Sequence, residues 1–154
     1  MIVSRLAARA VLVAALALAA GCRGTTDVLP PPLEGSYVLH TAAGQPAPAL
    51  IHTAVDPSHP PIDVYVLGDT LEILDGGRYI QRGRLEARTG SQLVSTSRWS
   101  DHGVFTVDGN ALHFDSEYLQ NITFDGTIAN GMLSITQNLA SEGTADVYLF
   151  THVP

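Results

Sequence analysis

Lysine is absent from this 154-residue chain, and cysteine occurs once. All eight basic residues are arginines, set against fifteen acidic residues. Phosphate binding along a nucleic acid requires clustered positive charge, so this composition argues against a nucleic-acid partner. It argues equally against electrostatic docking on anionic lipid. A lone cysteine excludes an internal disulfide, and stability must come from packing. No apolar run reaches the roughly 20 residues of a membrane-spanning helix; Ala10–Ala20 has eleven. Helical patterning is scarce as well. From Gly35 onward no eleven-residue segment keeps a 3–4 apolar spacing without Gly or Pro. Also missing are the G-x-S-x-G elbow, H-E-x-x-H, the P-loop and G-x-G-x-x-G. No catalytic residue is assigned, and the chain is expected not to be an enzyme. A triad assembled from distant Ser, His and Asp is the reading left open.

The N-terminal 22 residues carry the clearest signal. Arg5 and Arg9 precede the apolar run, and the small residues Ala19, Ala20 and Gly21 close it. That is the layout of an export signal. The end, Leu18-Ala19-Ala20-Gly21-Cys22, resembles the lipobox of bacterial lipoproteins, with Leu18 one place further from the cysteine than usual. The resemblance implies cleavage before Cys22, a diacylglyceryl thioether on its sulfur and acylation of its new amino group. The alternative is an ordinary secretory signal that happens to hold a cysteine. Three acyl chains at roughly 0.8 kcal/mol per buried CH2 would anchor the protein permanently. Arg23, rather than Asp, follows the cysteine. By the same resemblance this implies the outer membrane, facing the periplasm.

The expected organisation is a signal peptide over 1–21, an acylated cysteine and flexible tether over 22–32, and one β-domain over 33–154. Removing the signal leaves six arginines and a formal charge of −9. Pro30–Pro32 stiffen the tether, which at about 3.1 Å per residue reaches up to roughly 30 Å from the lipid.

Beyond Gly35, short β-branched and aromatic runs alternate with turn clusters, which predicts an all-β fold. Strands are expected at 36–41, 70–74, 78–88, 92–99, 103–107, 111–115, 122–128, 132–137 and 146–152, with 62–67 as a tenth. Asp75-Gly76-Gly77, Thr89-Gly90-Ser91, Asp101-His102-Gly103, Asp108-Gly109-Asn110, Asn130-Gly131 and Glu142-Gly143 punctuate them. FTVDGNALHF (105–114) aligns without gaps on GTIANGMLSI (126–135). Each reads as a hairpin with a two-residue turn, and Asn-Gly is the strongest short hairpin signal. The turns set the register. Val107 faces Leu112, Phe105 faces Phe114 and Thr106 faces His113. Likewise Ile128 faces Leu133, Thr127 faces Ser134 and Gly126 faces Ile135.

Leu33-x-Gly35-x-Tyr37-x-Leu39 opens the domain. Gly44-x-Pro46-x-Pro48 follows, then Thr70-Leu71-Glu72-Ile73 with Asp75-Gly76-Gly77-Arg78-Tyr79, then Gly103–Val107 with Asp108-Gly109-Asn110, and Tyr148-x-Phe150 near the end. This order resembles small bacterial lipoproteins with a lipocalin-like domain, over residues 33–152. It implies an antiparallel meander barrel of 8–10 strands and names no ligand.

Strand parity and these motifs place Tyr37, Leu39, Leu71, Ile73, Tyr79, Phe105, Val107, Leu112, Phe114, Ile128, Leu133, Ile135, Tyr148 and Phe150 on the inward face. Gly83 and Gly126 either open room there or mark bends. Ala42–Pro61 holds five prolines around Ala49-Leu50-Ile51. It is either a lid over the barrel mouth or a strand near 49–55. The candidate ligand pocket is therefore Tyr37, Leu50, Ile51, Tyr79, Phe105, Phe114, Tyr148 and Phe150. The six histidines show no i, i+2 spacing, so no metal site is expected, and no cofactor. Two functions follow. The barrel binds a small apolar or amphipathic ligand, or it is filled by its own side chains and its surface meets an envelope protein.

Overall fold

β-Branched and aromatic residues set on a two-residue period, broken by glycine turns, produce ten strands. A computed structural model describes residues 33–118, 122–139 and 145–153. Cys22, the signal segment and the tether lie outside the described residues, as does the Glu142-Gly143 turn. The strands are β1 (Gly35–Ala42), β2 (Gln45–Pro46), β3 (Ala49–Ala54), β4 (Ile62–Leu74), β5 (Arg78–Thr89), β6 (Gln92–Asp108), β7 (Ala111–Ser116), β8 (Thr123–Ala129), β9 (Met132–Gln137) and β10 (Asp146–Val153). There is no helix among the described residues.

All strand pairs are antiparallel, and neighbours in space are mostly neighbours in sequence. The sheet closes because β1 pairs with β10 on one side and with β4 on the other. Eight strands form the ring: β1, β4, β5, β6, β7, β8, β9 and β10. β2 and β3 attach outside it. β4 serves two partners along one edge: Thr70–Ile73 pair with β1, and Ile62–Val66 pair with β3. β6 pairs with β5 along nearly its whole length but meets β7 only from Gly103. Its first half, 92–100, has one edge unpaired among the described residues.

The hairpins match expectation. Phe105 opposes Phe114 and Val107 opposes Leu112; Ile128 opposes Leu133 and Gly126 opposes Ile135. Asn130 and Gly131 both take positive φ, 53° and 75°, as a type I′ turn requires. Gly109 alone takes positive φ in the β6–β7 turn, at 60°.

Three expectations need correction, and one open alternative is decided. The segments 62–67 and 70–74 are one strand, carried through by an irregularity between Val66 and Gly68. The segments 92–99 and 103–107 are also one strand, so Asp101-His102-Gly103 is not a turn. Asp101 points into the barrel, where its carboxylate accepts hydrogen bonds from Tyr79 and Ser116. Gly103 is there because a side chain would strike the Asp115 carbonyl. Of the two readings of Ala42–Pro61, the strand holds: β3 packs along β4. Finally, Val107 has inward parity but lies at the rim, 52% exposed.

Gly131 has open space around its Cα but a φ of 75°. Gly131→Val places a β-branched side chain in the left-handed region, so strain alone should destabilise it by more than about 1 kcal/mol. Urea denaturation measures this, and an unchanged midpoint would remove the turn assignment.

Candidate functional site

The inward face is the site that the sequence pointed to, and it has two ends. At one end lie aromatic rings. Tyr79 meets Phe114 edge-on with centroids 5.2 Å apart. Phe105 lies 5.7 Å from Phe114, and Phe124 stacks on it at 4.7 Å. Such pairs each contribute roughly 0.5–1.5 kcal/mol beyond area burial. Phe124 was missing from the expected inward set, although its parity with Gly126 and Ile128 identifies it.

Six of the eight candidate pocket residues are buried in one continuous core: Tyr37, Tyr79, Phe105, Phe114, Tyr148 and Phe150. Tyr37 donates its hydroxyl to the Leu33 carbonyl at 2.9 Å and packs edge-on against His152. Leu50 does not join them. It is 39% exposed and paired across the strands with Tyr65. Ile51 falls at an irregularity of β3 and packs partly buried against the core.

The other end of the bore is polar. Three successive rows cross β4, β5 and β6: Ile73–Tyr79–Gly103, Leu71–Gln81–Asp101, and Asp69–Gly83–Trp99. Asp69 and Gln81 are 4% and 1% exposed. Gln81 Nε2 donates to Asp69 Oδ2 at 2.7 Å. Tyr79 donates to Asp101 Oδ2 at 2.8 Å, while Ser116 and the His102 backbone N–H donate to Oδ1. Burial, and then the adjacent Asp101, push the Tyr79 hydroxyl far above its ordinary range. Burial, then Asp146 and Asp69, do the same to Tyr148. Asp69 Oδ1, Gln81 Oε1 and Trp99 Nε1 are buried without a hydrogen-bond partner among the described residues. Composition hid this end, because Asp69 and Gln81 are polar residues at inward positions that parity alone reveals.

Gly83 and Gly126 open no room. A side chain at Gly83 would collide with the Trp99 indole, and one at Gly126 would press on Phe114 and the Ser134 carbonyl. At Gly83 the missing side chain lets the indole lie against the backbone. The histidines are dispersed. His59 pairs with Asp56 and His113 with Asp125, all four exposed. Among the described residues no three His, Cys, Asp or Glu group to hold a metal ion.

No protein-family model and no curated protein matches the chain. Among solved structures it is similar to a mutant of a REP1-NXSQ fatty acid transporter. The identity is 12% and the TM-score 0.37, over 79% of this chain and 98% of that chain.

Two tests follow from this geometry. Burial pushes the Asp69 carboxyl from 3.8 up to about 7, although Gln81 and the Thr70 backbone N–H pull it down. The folded state therefore holds a proton that the unfolded chain releases near pH 4. The stability this gives is complete below the unfolded value and is lost as pH rises towards 7. The slope is at most about 1.4 kcal/mol per pH unit. Urea midpoints should fall between pH 4 and 7, and Asp69→Asn should flatten that fall. A slope unchanged in the variant would contradict the buried, protonated carboxyl. Gly83→Ala should displace the Trp99 ring, red-shift the emission of this sole tryptophan and destabilise by roughly 1–3 kcal/mol. Unchanged emission would show that the indole does not cover Gly83.

Proposed function

We propose that this chain is an envelope lipoprotein, acylated on Cys22, whose barrel is filled by its own side chains and which acts through its outer surface. The observation that carries the reading is the aromatic packing of Tyr79, Phe105, Phe114 and Phe124 across one end of the bore. Rings in mutual contact leave little for an apolar guest to displace without losing core packing. The partner is then an envelope protein or an envelope component met on the outside. The tether and the acyl group would hold the barrel at the outer membrane on its periplasmic side. The same reading assigns the protein no reaction, cofactor or metal.

A second reading has one observation in its favour. Asp69 Oδ1, Gln81 Oε1 and Trp99 Nε1 are buried and unpartnered at the polar end. Buried polar groups ordinarily find partners, and the head of a small amphipathic molecule would supply them.

Titration with an environment-sensitive fatty-acid probe separates the two. The filled barrel gives no saturable signal. Saturable binding that Gln81→Leu abolishes supports the amphipathic ligand instead. The anchor has its own test. Cys22→Ala should release the protein from membranes or stall its processing, and labelled fatty acid should mark only the parent protein. Full membrane retention of the variant, with no label on the parent, would remove the anchor from the proposal.

A further inference from the structure

The outer face of β5 and β6 gathers every described arginine: Arg78, Arg82, Arg84 and Arg88 on β5, and Arg98 on β6. In a chain with excess acid this concentration is unexpected. Three of the five have acidic partners. Arg78 pairs with Glu117 and Arg82 with Glu72, each at 2.9 Å. Arg88 pairs with Glu86, the acid that would otherwise neighbour Arg84 on the same face. Arg84 and Arg98 make no ion pair among the described residues.

These two arginines are also direct cross-strand partners. Like charges at opposed positions destabilise a sheet. Nothing in the packing offsets the repulsion, because both side chains are exposed. On the far side of Arg84 stands Gly68, with no atom near where its side chain would be. The next row along the same face is Val38–Thr70–Arg82–Ser100. β1 stops pairing with β4 at Val38, and β3 does not begin until Val66. The gap between them leaves a groove of about 590 Å³; Arg82, Arg84, Arg98, Thr70 and Ser100 line it with Val38 at its side, and Trp99 and one acid, the buried Asp69, also border it. A volume of this size suits a small organic molecule.

We propose that this outer groove binds a phosphomonoester group. A dianion answers two adjacent fixed cations, where a carboxylate would answer one. Guanidinium forks match phosphate oxygens in paired hydrogen bonds. The Thr70 and Ser100 hydroxyls stand one row away for a remaining oxygen. Val38, 44% exposed, offers apolar surface to the organic portion. The ligand is either a soluble phosphate or the head of an anionic lipid. This site goes beyond the function proposed above and stands whether or not the bore takes a guest.

Isothermal titration of the full-length protein in phosphate-free buffer tests it. The probes are inorganic phosphate, dihexanoyl phosphatidic acid below its micelle concentration, and dihexanoyl phosphatidylcholine. Saturable binding of phosphatidic acid is expected, weakened at least tenfold by Arg84→Gln and by Arg98→Gln. Arg78→Gln, altering a paired arginine of the same face, should stay within twofold of the parent. Inorganic phosphate binding in the same variant-sensitive way assigns the site to free phosphates; phosphatidic acid alone assigns it to a lipid head. Without ligand, Arg84→Gln should melt no lower than the parent, because it removes a repulsion. The proposal is overturned if neither phosphate probe saturates, if phosphatidylcholine binds as well as phosphatidic acid, or if both glutamine variants keep the parent affinity.

Discussion

The barrel closes through one short strand. β1 is eight residues long, yet it bridges β10 and β4. Its seam with β4 spans only Gly35–Val38. Without it the remaining strands form an open sheet with two edges, and the inward side chains lose their common enclosure. Tyr37 sits in the middle of this seam, buried, with its hydroxyl tied back to Leu33 where the chain enters the domain. Closure and core thus depend on the same few residues. The gap that β1 leaves beside Gly68 is the other side of that economy. β1 runs on to Ala42 but leaves β4 after Val38; had the two strands stayed paired, β1 would cover the outer groove.

The interior divides by chemistry as well as by position. Aromatic rings fill one end with dispersion contacts and no polar demands apart from the Tyr79 hydroxyl, which Asp101 accepts. The opposite end holds carboxyl, amide and indole groups in partial satisfaction. Buried polar groups left partly paired weigh against stability in a low-dielectric interior. Asp69 answers by keeping its proton to about pH 7. The barrel is therefore tightly specified at one end and electrostatically stressed at the other.

What was legible in the sequence was local. Asn130-Gly131 dictated its own turn, and the turn dictated the register of Ile128 on Leu133. Parity then placed Tyr37, Tyr79, Phe105, Phe114, Tyr148 and Phe150 inward. What escaped was set by partners far along the chain. Asp101 read as a turn residue beside Gly103, and Asp69 gave no inward signal, because carboxylates are normally at home in water. Their hydrogen-bond partners, Gln81 and Ser116, stand twelve and fifteen residues away. Leu50, expected in the pocket beside Ile51, stays outside it, and the irregularity of β3 between Leu50 and His52 is one that no composition signals. The unpaired arginines were equally hidden. Only the register of β5 against β6 sets Arg84 opposite Arg98, and only the fold tells which acids are already engaged.

A barrel wall is a single layer of backbone, so its two sides are never independent. Along β6 the residues Arg98, Trp99, Ser100 and Asp101 point alternately out and in, as successive residues of a strand do. The arginine pair and the buried carboxylate network thus hang from the same few peptide units. The sole tryptophan, Trp99, also lines the groove between Arg98 and Ser100, so its fluorescence is a built-in reporter for whatever settles there.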